Sequence, residues 1–101
     1  MLFDVPTPLG FRVHASGSYW EMIVSVKHPV MRGRENDVEE VLRFPEEIRR
    51  SLRDPEVYLF YRSESVSRWT YAVVKRVDGD GFVITTYPTD NIKEGEPIWT
   101  R

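Results

Sequence analysis

Residues 69–88 read WTYAVVKRVDGDGFVITTYP and predict a β-hairpin. The outer segments, 69–77 and 82–88, are rich in valine, threonine and aromatic residues, which are good strand formers. The linking residues, Asp78 to Gly81, tolerate the positive φ angles of a tight hairpin turn. We therefore expect two neighbouring antiparallel strands here, and the other elements are assigned around them.

Three further strands are predicted before this hairpin. They are FRVHA at 11–15, YWEMIVSVK at 19–27 and VYLFYRS at 57–63. The turn-forming residues SGS separate the first two, which are interpreted as a second hairpin. In the segment 19–27 one face of the alternating pattern is apolar and is expected to face the core: Trp20, Met22, Val24 and Val26.

Residues 35–52 have helical periodicity instead. Apolar residues recur three and four positions apart among charges: Val38, Val41, Leu42, Ile48 and Leu52. Pro45 divides the stretch into two short helices, because proline disfavours helix at the preceding residue but suits a first turn. Near the C-terminus, Ile98 and Trp99 are expected to dock against the body. The predicted fold is α+β, an antiparallel sheet of four to five strands with two short helices on one face, in the order ββααβββ.

The composition indicates a single domain spanning residues 1–101. The chain is 41% apolar and 30% charged, and its length suits one hydrophobic core. No apolar run approaches the ~20 residues that cross a bilayer, and MLFDVPTPLG lacks the basic start and apolar centre of a signal peptide. These features predict a cytoplasmic protein with no membrane association.

Residue types and spacing argue against several kinds of chemistry. The chain has no cysteine, so disulfides, thiolate metal sites and thiol nucleophiles are excluded. His14 and His28 lie far apart without acidic ligands at metal-binding spacing. RGREN at 32–36 carries one glycine, and no G-x-S-x-G motif is present. We expect no metal and no cofactor.

His28 is the first candidate for chemistry, in the stretch VKHPVMRGR at 26–34. An imidazole titrates near neutral pH and can accept or deliver a proton, which is worth ~10²–10⁴-fold in rate. The alternative is a structural histidine that caps the end of the strand through a backbone hydrogen bond.

Arginines are the second group, eleven of them against three lysines. Arg32 and Arg34 flank Gly33, where a bend would let both guanidinium groups converge on one anion. The predicted second helix adds Arg49, Arg50 and Arg53. Alternatively these side chains pair with nearby carboxylates such as Asp37 on a solvated surface. The net charge of −2 argues against broad attraction to nucleic acid, so any polyanion site must be local.

The strand at 82–88 places two hydroxyls on one face. Thr85 and Tyr87 are expected to project together beyond Val83, while Phe82, Ile84 and Thr86 take the other face. The hydroxyls either form a polar patch or reflect strand propensity alone. Neighbouring strands add aromatic residues that either stack on bases or belong to the core: Tyr58, Tyr61, Trp69 and Tyr71.

Three segments together resemble a family of small prokaryotic proteins grouped with the barnase, EndoU, colicin and RelE-like nuclease fold. They are KHPVMRGRENDVEEVL, FPEEIRRSLRDPEVYLFYR and GFVITTYPTDNIKEG, and the likeness covers roughly residues 20–99. The resemblance implies a metal-independent endoribonuclease that cleaves RNA through attack of the ribose 2′-hydroxyl, leaving a cyclic phosphate. It also implies a toxin whose partner is an antitoxin protein.

The resemblance assigns roles to residues as well. His28 takes the acid–base position and protonates the leaving 5′-oxygen, and Arg49 or Arg50 clamps the phosphate. The expected catalytic residues are His28, Arg50, Thr85 and Tyr87, and the expected RNA-binding residues are Arg32, Arg34, Arg49 and Arg53. Such toxins are commonly basic, whereas this chain is acidic overall.

Two other functions fit the same residues. One is a non-catalytic module that holds RNA or an acidic protein partner with the same arginines and aromatic rings. The other is a homodimer in which an exposed hairpin edge pairs with a second copy. Salt-sensitive binding without cleavage products would indicate the first, and size-exclusion chromatography at several concentrations tests the second.

Overall fold

The computed structural model describes residues 2–92 and 94–101 and has an α+β architecture. Within those residues seven strands and two short helices follow one another as β1 Phe3–Pro6, β2 Arg12–Ala15, α1 Gly17–Met22, α2 Glu35–Arg43, β3 Glu47–Arg50, β4 Val57–Ser65, β5 Arg68–Val77, β6 Asp80–Thr89 and β7 Glu96–Thr100. A π-helical turn, Ile23–Lys27, continues α1, and a 3₁₀ turn, Pro29–Met31, precedes α2. No helix in this described part is long and apolar enough to span a membrane.

The strands form one sheet in the order β1-β2-β6-β5-β4-β3-β7. Neighbouring strands are antiparallel except β2 and β6, which run parallel at Gly81 and Phe82. The sheet is therefore mixed and seven-stranded, and the predicted four to five antiparallel strands in the order ββααβββ are wrong in number and order. Sequence patterns missed the edge strands, FDVP in β1 and EPIWT in β7, because each is short and contains a proline.

The predicted hairpin at 69–88 is confirmed. β5 and β6 pair up to Val77 and Asp80, and the two residues between them, Asp78 and Gly79, have φ angles of 52° and 87°. Positive φ at both positions is the requirement of a type I′ turn, which matches the twist of the flanking strands. The predicted first helix is also present as α2, with Val38, Val41 and Leu42 buried.

The predicted strand at 19–27 is wrong, because this segment forms α1 and the π-helical turn. The hydroxyl of Ser16 caps α1 by accepting the backbone N–H of Tyr19 at 3.1 Å. Trp20, Ile23 and Val24 are buried at helical spacing, whereas Val26, which the alternating pattern placed in the core, is 75% exposed. The β-branched composition favoured a strand, but the segment forms a capped helix that buries Trp20, Ile23 and Val24.

The predicted second helix at 46–52 is also wrong, because residues 47–50 form β3. Ile48 is fully buried and pairs with Phe60 of β4 on one side and Trp99 of β7 on the other. This pairing joins segments that are distant in the chain, so it overrides the local helical spacing of charges and apolar residues. It also moves the arginines of this segment onto a sheet.

The helices cover one side of the sheet, which we call the helix face. Its strand side chains form one apolar cluster with α1, the π-helical turn and α2, and include Val13, Ile48, Phe60, Ala72, Val74 and Val83. Ile98 and Trp99 pack against this cluster, as expected for the C-terminal segment. Removing apolar surface from water, at roughly 25 cal/mol per Å², makes this face the main source of stability.

Candidate functional site

The other side of the sheet is crossed by the connection between β6 and β7. These strands are separated by β5, β4 and β3, and the described part of the connection lies against that side. Ile92 packs on Leu59, Tyr61 and Tyr71, and Gly95 lies against Leu59. We call this side the crossover face, and its strand side chains include Glu47, Arg49, Leu59, Tyr61, Tyr71, Val73, Thr85 and Tyr87.

A β-bulge in β6 decides which side chains point to the crossover face. Val83 pairs with Val74 and Thr85 pairs with Val73, so Ile84 is an extra residue between the two pairs. Val83 is therefore buried on the helix face, and its predicted position beside Thr85 is wrong. Thr85 and Tyr87, two residues apart beyond the bulge, do share a face, as predicted.

The π-helical turn after α1 lies against the part of β6 that does not pair with β2. β2 pairs with β6 only at Gly81 and Phe82. Beyond that point the carbonyl of Ile84 accepts the hydroxyl of Tyr19 at 2.9 Å and the Nζ of Lys27 at 3.4 Å. These two bonds fix the π-helical turn beside the crossover face.

His28 follows that turn directly. Its backbone N–H donates to the carbonyl of Ile23, five residues earlier, at 2.8 Å. The half-buried imidazole lies over the ring of Tyr87, with centroids 4.6 Å apart and planes at 31°. Burial lowers the pKa of His28, and the neighbouring charge of Lys27 lowers this pKa further. At neutral pH the imidazole is therefore mainly neutral and able to accept a proton.

The imidazole begins a line of four rings, which we call the aromatic file: His28, Tyr87, Tyr71 and Tyr61. Tyr87 and Tyr71 are cross-strand partners in edge-to-face contact, with centroids 4.9 Å apart. Tyr71 and Tyr61 are stacked at 4.6 Å on the next pair of strands. Tyr61 and Tyr71 are buried, whereas His28 and Tyr87 are half-buried. The end of the file that a ligand can reach is therefore the pair His28 and Tyr87.

The three phenols of the file are proton donors. Burial raises the pKa of Tyr61, Tyr71 and Tyr87, and the carboxylate of Glu94 raises each of these pKa values further. Each hydroxyl therefore stays protonated through neutral pH. The ring of Tyr87 lies against the neutral imidazole of His28, so a proton acceptor and a proton donor belong to neighbouring side chains.

Thr85 lies on the same face but does not offer its hydroxyl. Its Oγ1 is buried and has no hydrogen-bond partner among residues 2–92 and 94–101. A phosphate in contact with Tyr87 does not touch this oxygen in the observed conformation. Thr85 therefore lies near the site, but its hydroxyl is not exposed to a ligand.

The structure separates the two arginines of β3. Arg49 lies on the crossover face, pairs with Glu47 and donates to the carbonyl of Glu94 at 3.5 Å. Arg50 points the other way, with its guanidinium over the ring of Tyr58 at 5.5 Å. Arg49 therefore stands near the buried end of the aromatic file, and Arg50 is on the opposite side of the sheet from the imidazole.

The other predicted RNA-binding arginines are engaged elsewhere. Gly33, between Arg32 and Arg34, has a positive φ of 81°. However, Arg32 pairs with Glu21 at 3.3 Å, and Arg34 pairs with Asp37 at 2.8 Å. The two guanidinium groups bind different carboxylates, so the surface ion-pair alternative describes them better than a shared anion.

Arg53 is exposed and borders a depression beside Glu94. The ring of His14 packs edge-on against the ring of Phe82, with centroids 4.3 Å apart. His14 is therefore not part of the aromatic file, and the imidazole of the file is that of His28. Within the described part of the chain, no three His, Asp or Glu side chains are grouped so that they could hold a metal ion.

Sequence reasoning missed the importance of Lys27 and Tyr71. Lys27 was assigned to an outward-facing strand position, although its place directly before His28 was a signal that its charge would act on the imidazole. Tyr71 was noted only as one of several aromatic residues. The hairpin signal already made Tyr71 and Tyr87 neighbours in antiparallel strands, but their register depends on the bulge at Ile84.

Comparison with known protein families, with curated proteins and with solved structures finds no match to this chain. The resemblance to the barnase-like and RelE-like nucleases therefore remains an expectation from sequence segments. The geometry of the crossover face is the basis for assigning a function.

Proposed function

We propose that this protein is a metal-independent endoribonuclease whose reacting groups are His28 and Tyr87. The observation that carries the proposal is the contact between the two rings, 4.6 Å apart at the reachable end of the aromatic file. A neutral base and a protonated acid in contact are the two groups that phosphodiester cleavage by a neighbouring hydroxyl requires.

In the first step the imidazole of His28 accepts the proton of a ribose 2′-hydroxyl. The freed oxygen attacks the adjacent phosphorus and forms the new O–P bond of a 2′,3′-cyclic phosphate. The lowered pKa of His28 supports this role, because the neutral form is the one that accepts a proton. Sequence reasoning gave His28 the opposite task, protonation of the leaving oxygen.

In the second step the bond from phosphorus to the 5′-oxygen breaks, and Tyr87 delivers its phenolic proton to that oxygen. The transfer is favourable because a ribose alkoxide is a stronger base than a phenolate. The imidazolium of His28 then returns its proton to Tyr87, which lies against it. The products are a cyclic phosphate end and a 5′-hydroxyl end, and both side chains regain their starting forms.

Negative charge gathers on the phosphoryl oxygens during this exchange. Lys27 is the cation beside the reacting pair, since its charge already acts on His28 and its Nζ lies 3.4 Å from the carbonyl of Ile84. A well-placed donor of this kind is worth roughly 3 kcal/mol at a developing charge. We therefore assign the phosphate contact to Lys27 and an outer contact with the RNA backbone to Arg49.

The proposal is tested by incubating the purified protein with a single-stranded RNA oligonucleotide in excess chelator and identifying the product ends. We expect 2′,3′-cyclic phosphate and 5′-hydroxyl ends, and no cleavage of the same oligonucleotide with 2′-deoxyribose throughout. Cleavage of the deoxy strand, or products ending in a free 3′-hydroxyl, would rule out attack by the 2′-oxygen.

The resemblance to the barnase, EndoU, colicin and RelE-like nuclease fold extends the proposal to a cytoplasmic toxin held inactive by an antitoxin protein. The antitoxin would have to cover the reachable end of the aromatic file. Expression of the chain alone should then arrest growth, and His28→Ala should restore it. Growth arrest by His28→Ala at the same expression level would remove nuclease activity as the cause.

A second candidate is a non-catalytic RNA-binding module, favoured by the half-buried Tyr87 and the partly exposed Phe82 on one strand. Aromatic side chains of this kind stack on bases in many RNA-binding domains. Tight binding of the RNA oligonucleotide without product would support it. An edge-paired homodimer is less favoured, because both edge strands, β1 and β7, carry a proline.

A further inference from the structure

A cleft of about 600 Å³ opens where β2 parts from β6. Its walls are mainly apolar and are formed by His14, Ala15, Ser16, Tyr19, Phe82 and Ile84. Phe82 is 43% exposed, and the imidazole of His14 lies edge-on against its ring. The volume lies within the range of sites that bind small molecules, which is roughly 300–1,000 Å³.

The cleft and the proposed catalytic pair share strand β6. Phe82 precedes the bulge at Ile84, and Tyr87 follows it on the same strand. Tyr19, in the cleft wall, and Lys27 both bond to the carbonyl of Ile84. The Nζ of Lys27 also lies 5.7 Å from the centre of the Tyr19 ring. An ammonium group therefore lies beside two residues of the cleft wall, Tyr19 and Ile84, and His28 is the next residue in the chain.

We infer that this cleft is a nucleobase subsite, in which the base next to the cleaved phosphate stacks on Phe82. The inference rests on the proposed function. An apolar cleft with an exposed aromatic residue suits a flat heterocycle, and the cation beside its wall residues Tyr19 and Ile84 suits the attached phosphate. The same ammonium then holds the phosphate whose neighbouring oxygen His28 activates.

The test is the affinity for an RNA oligonucleotide whose 2′-hydroxyls are replaced by hydrogen, measured by fluorescence anisotropy. This probe keeps the bases and phosphates but lacks the attacking group. Phe82→Ala should weaken its binding about 5- to 150-fold, the range seen when one stacking ring is truncated. Phe82→Tyr keeps a ring and should bind within about 3-fold of the wild type.

The matched control is Phe44→Ala, because Phe44 is 52% exposed and lies at the end of α2, outside the cleft. We expect it to leave the affinity unchanged. Phe82 lies outside the apolar cluster of the helix face, and circular dichroism of each variant checks that the fold is kept.

The two proposals fail in different ways. Wild-type cleavage of RNA together with equal probe affinities for Phe82→Ala and Phe44→Ala would overturn the subsite alone. Probe binding that depends on Phe82, without any cleavage of RNA by the wild type, would overturn the reaction and leave only base stacking on Phe82, without a cleaved phosphate beside it. Absence of probe binding by the wild type would overturn the subsite whatever the cleavage result.

Discussion

The two faces of the sheet use the same strands for different purposes. On β4, Phe60 points to the helix face and is sealed in apolar contacts, whereas its neighbour Tyr61 points to the crossover face and joins the aromatic file. The helix face consists mainly of apolar side chains, and the crossover face combines phenols, an ion pair and a buried hydroxyl that has no hydrogen-bond partner among the described residues. Stability should therefore depend mainly on the helix face, and the proposed chemistry on the crossover face.

Truncation of the helix-face core should have the largest effect on stability. We expect Phe60→Ala to lower the free energy of unfolding by about 3–5 kcal/mol, because it leaves a cavity in the apolar cluster of the helix face. Val73→Ala, on the partly covered crossover face, should cost less than half as much. Urea denaturation of both variants measures the difference, and equal losses would contradict the division between the faces.

Removing one tyrosine hydroxyl from each face should affect the rate of RNA cleavage on the crossover face only. Tyr87→Phe should lower kcat about 10²-fold, because it removes the proposed acid. Tyr58→Phe removes a hydroxyl on the helix face, where Arg50 lies over the ring, and should leave kcat within about 2-fold. The measurement is single-turnover cleavage, and similar rates for the two variants would place the acid elsewhere.

The pH dependence should report the environment of His28. Because its pKa is lowered below 6.5, cleavage should rise with pH through an apparent pKa below that value and then stay level while Tyr87 remains protonated. Lys27→Ala removes one cause of the lowered pKa of His28, so the rise of the cleavage rate should move to higher pH. A cleavage rate of the wild type that rises with an apparent pKa above 6.5 would contradict the assignment of His28 as base.

The same lowered pKa has a consequence for stability. The unfolded chain binds the His28 proton more readily than the folded chain does, so the free energy of unfolding should fall as the pH drops below 6.5. The contribution is fully present above that pH. His28→Gln should remove this part of the acid destabilisation in denaturation curves recorded from pH 7 to pH 5.

The smallest expected effect concerns the hydroxyl buried on the crossover face. Thr85→Val should raise the free energy of unfolding by about 1 kcal/mol, since it removes a buried polar atom without a partner and keeps the shape. Its effect on the cleavage rate should be much smaller than that of Tyr87→Phe. A loss of rate as large as that of Tyr87→Phe would show that the hydroxyl contacts the substrate.

The sequence predicted the elements that are encoded locally. The hairpin around Asp78 and Gly79 follows from two residues that accept positive φ, and α2 follows from three apolar residues at helical spacing. The segment 19–27 was assigned wrongly because its apolar residues satisfy both periods, and the cap at Ser16 decides between them. β3 was assigned wrongly because its partner β7 lies far along the chain.

The candidate site, like the fold, was predicted from the sequence only in part. His28, Thr85 and Tyr87 were expected in one site. In the structure Thr85 and Tyr87 lie on the crossover face of β6, and the imidazole of His28 lies against the ring of Tyr87. The choice between Arg49 and Arg50 required knowing that their segment is a strand, which sends adjacent side chains to opposite faces. The adjacency of Lys27 to His28 is visible in the sequence, but the bond from its Nζ to the carbonyl of Ile84 required the π-helical turn, which local patterns do not reveal.

The most direct test of the central claim is single-turnover cleavage of RNA by His28→Ala beside the wild type. Val30→Ala, an exposed change in the same segment, serves as the control. We expect the wild type and Val30→Ala to release cyclic phosphate ends at similar rates and His28→Ala to be ~10²–10⁴-fold slower with its fold intact. Equal rates for all three proteins, or no cleavage by the wild type, would contradict a catalytic role of the crossover face.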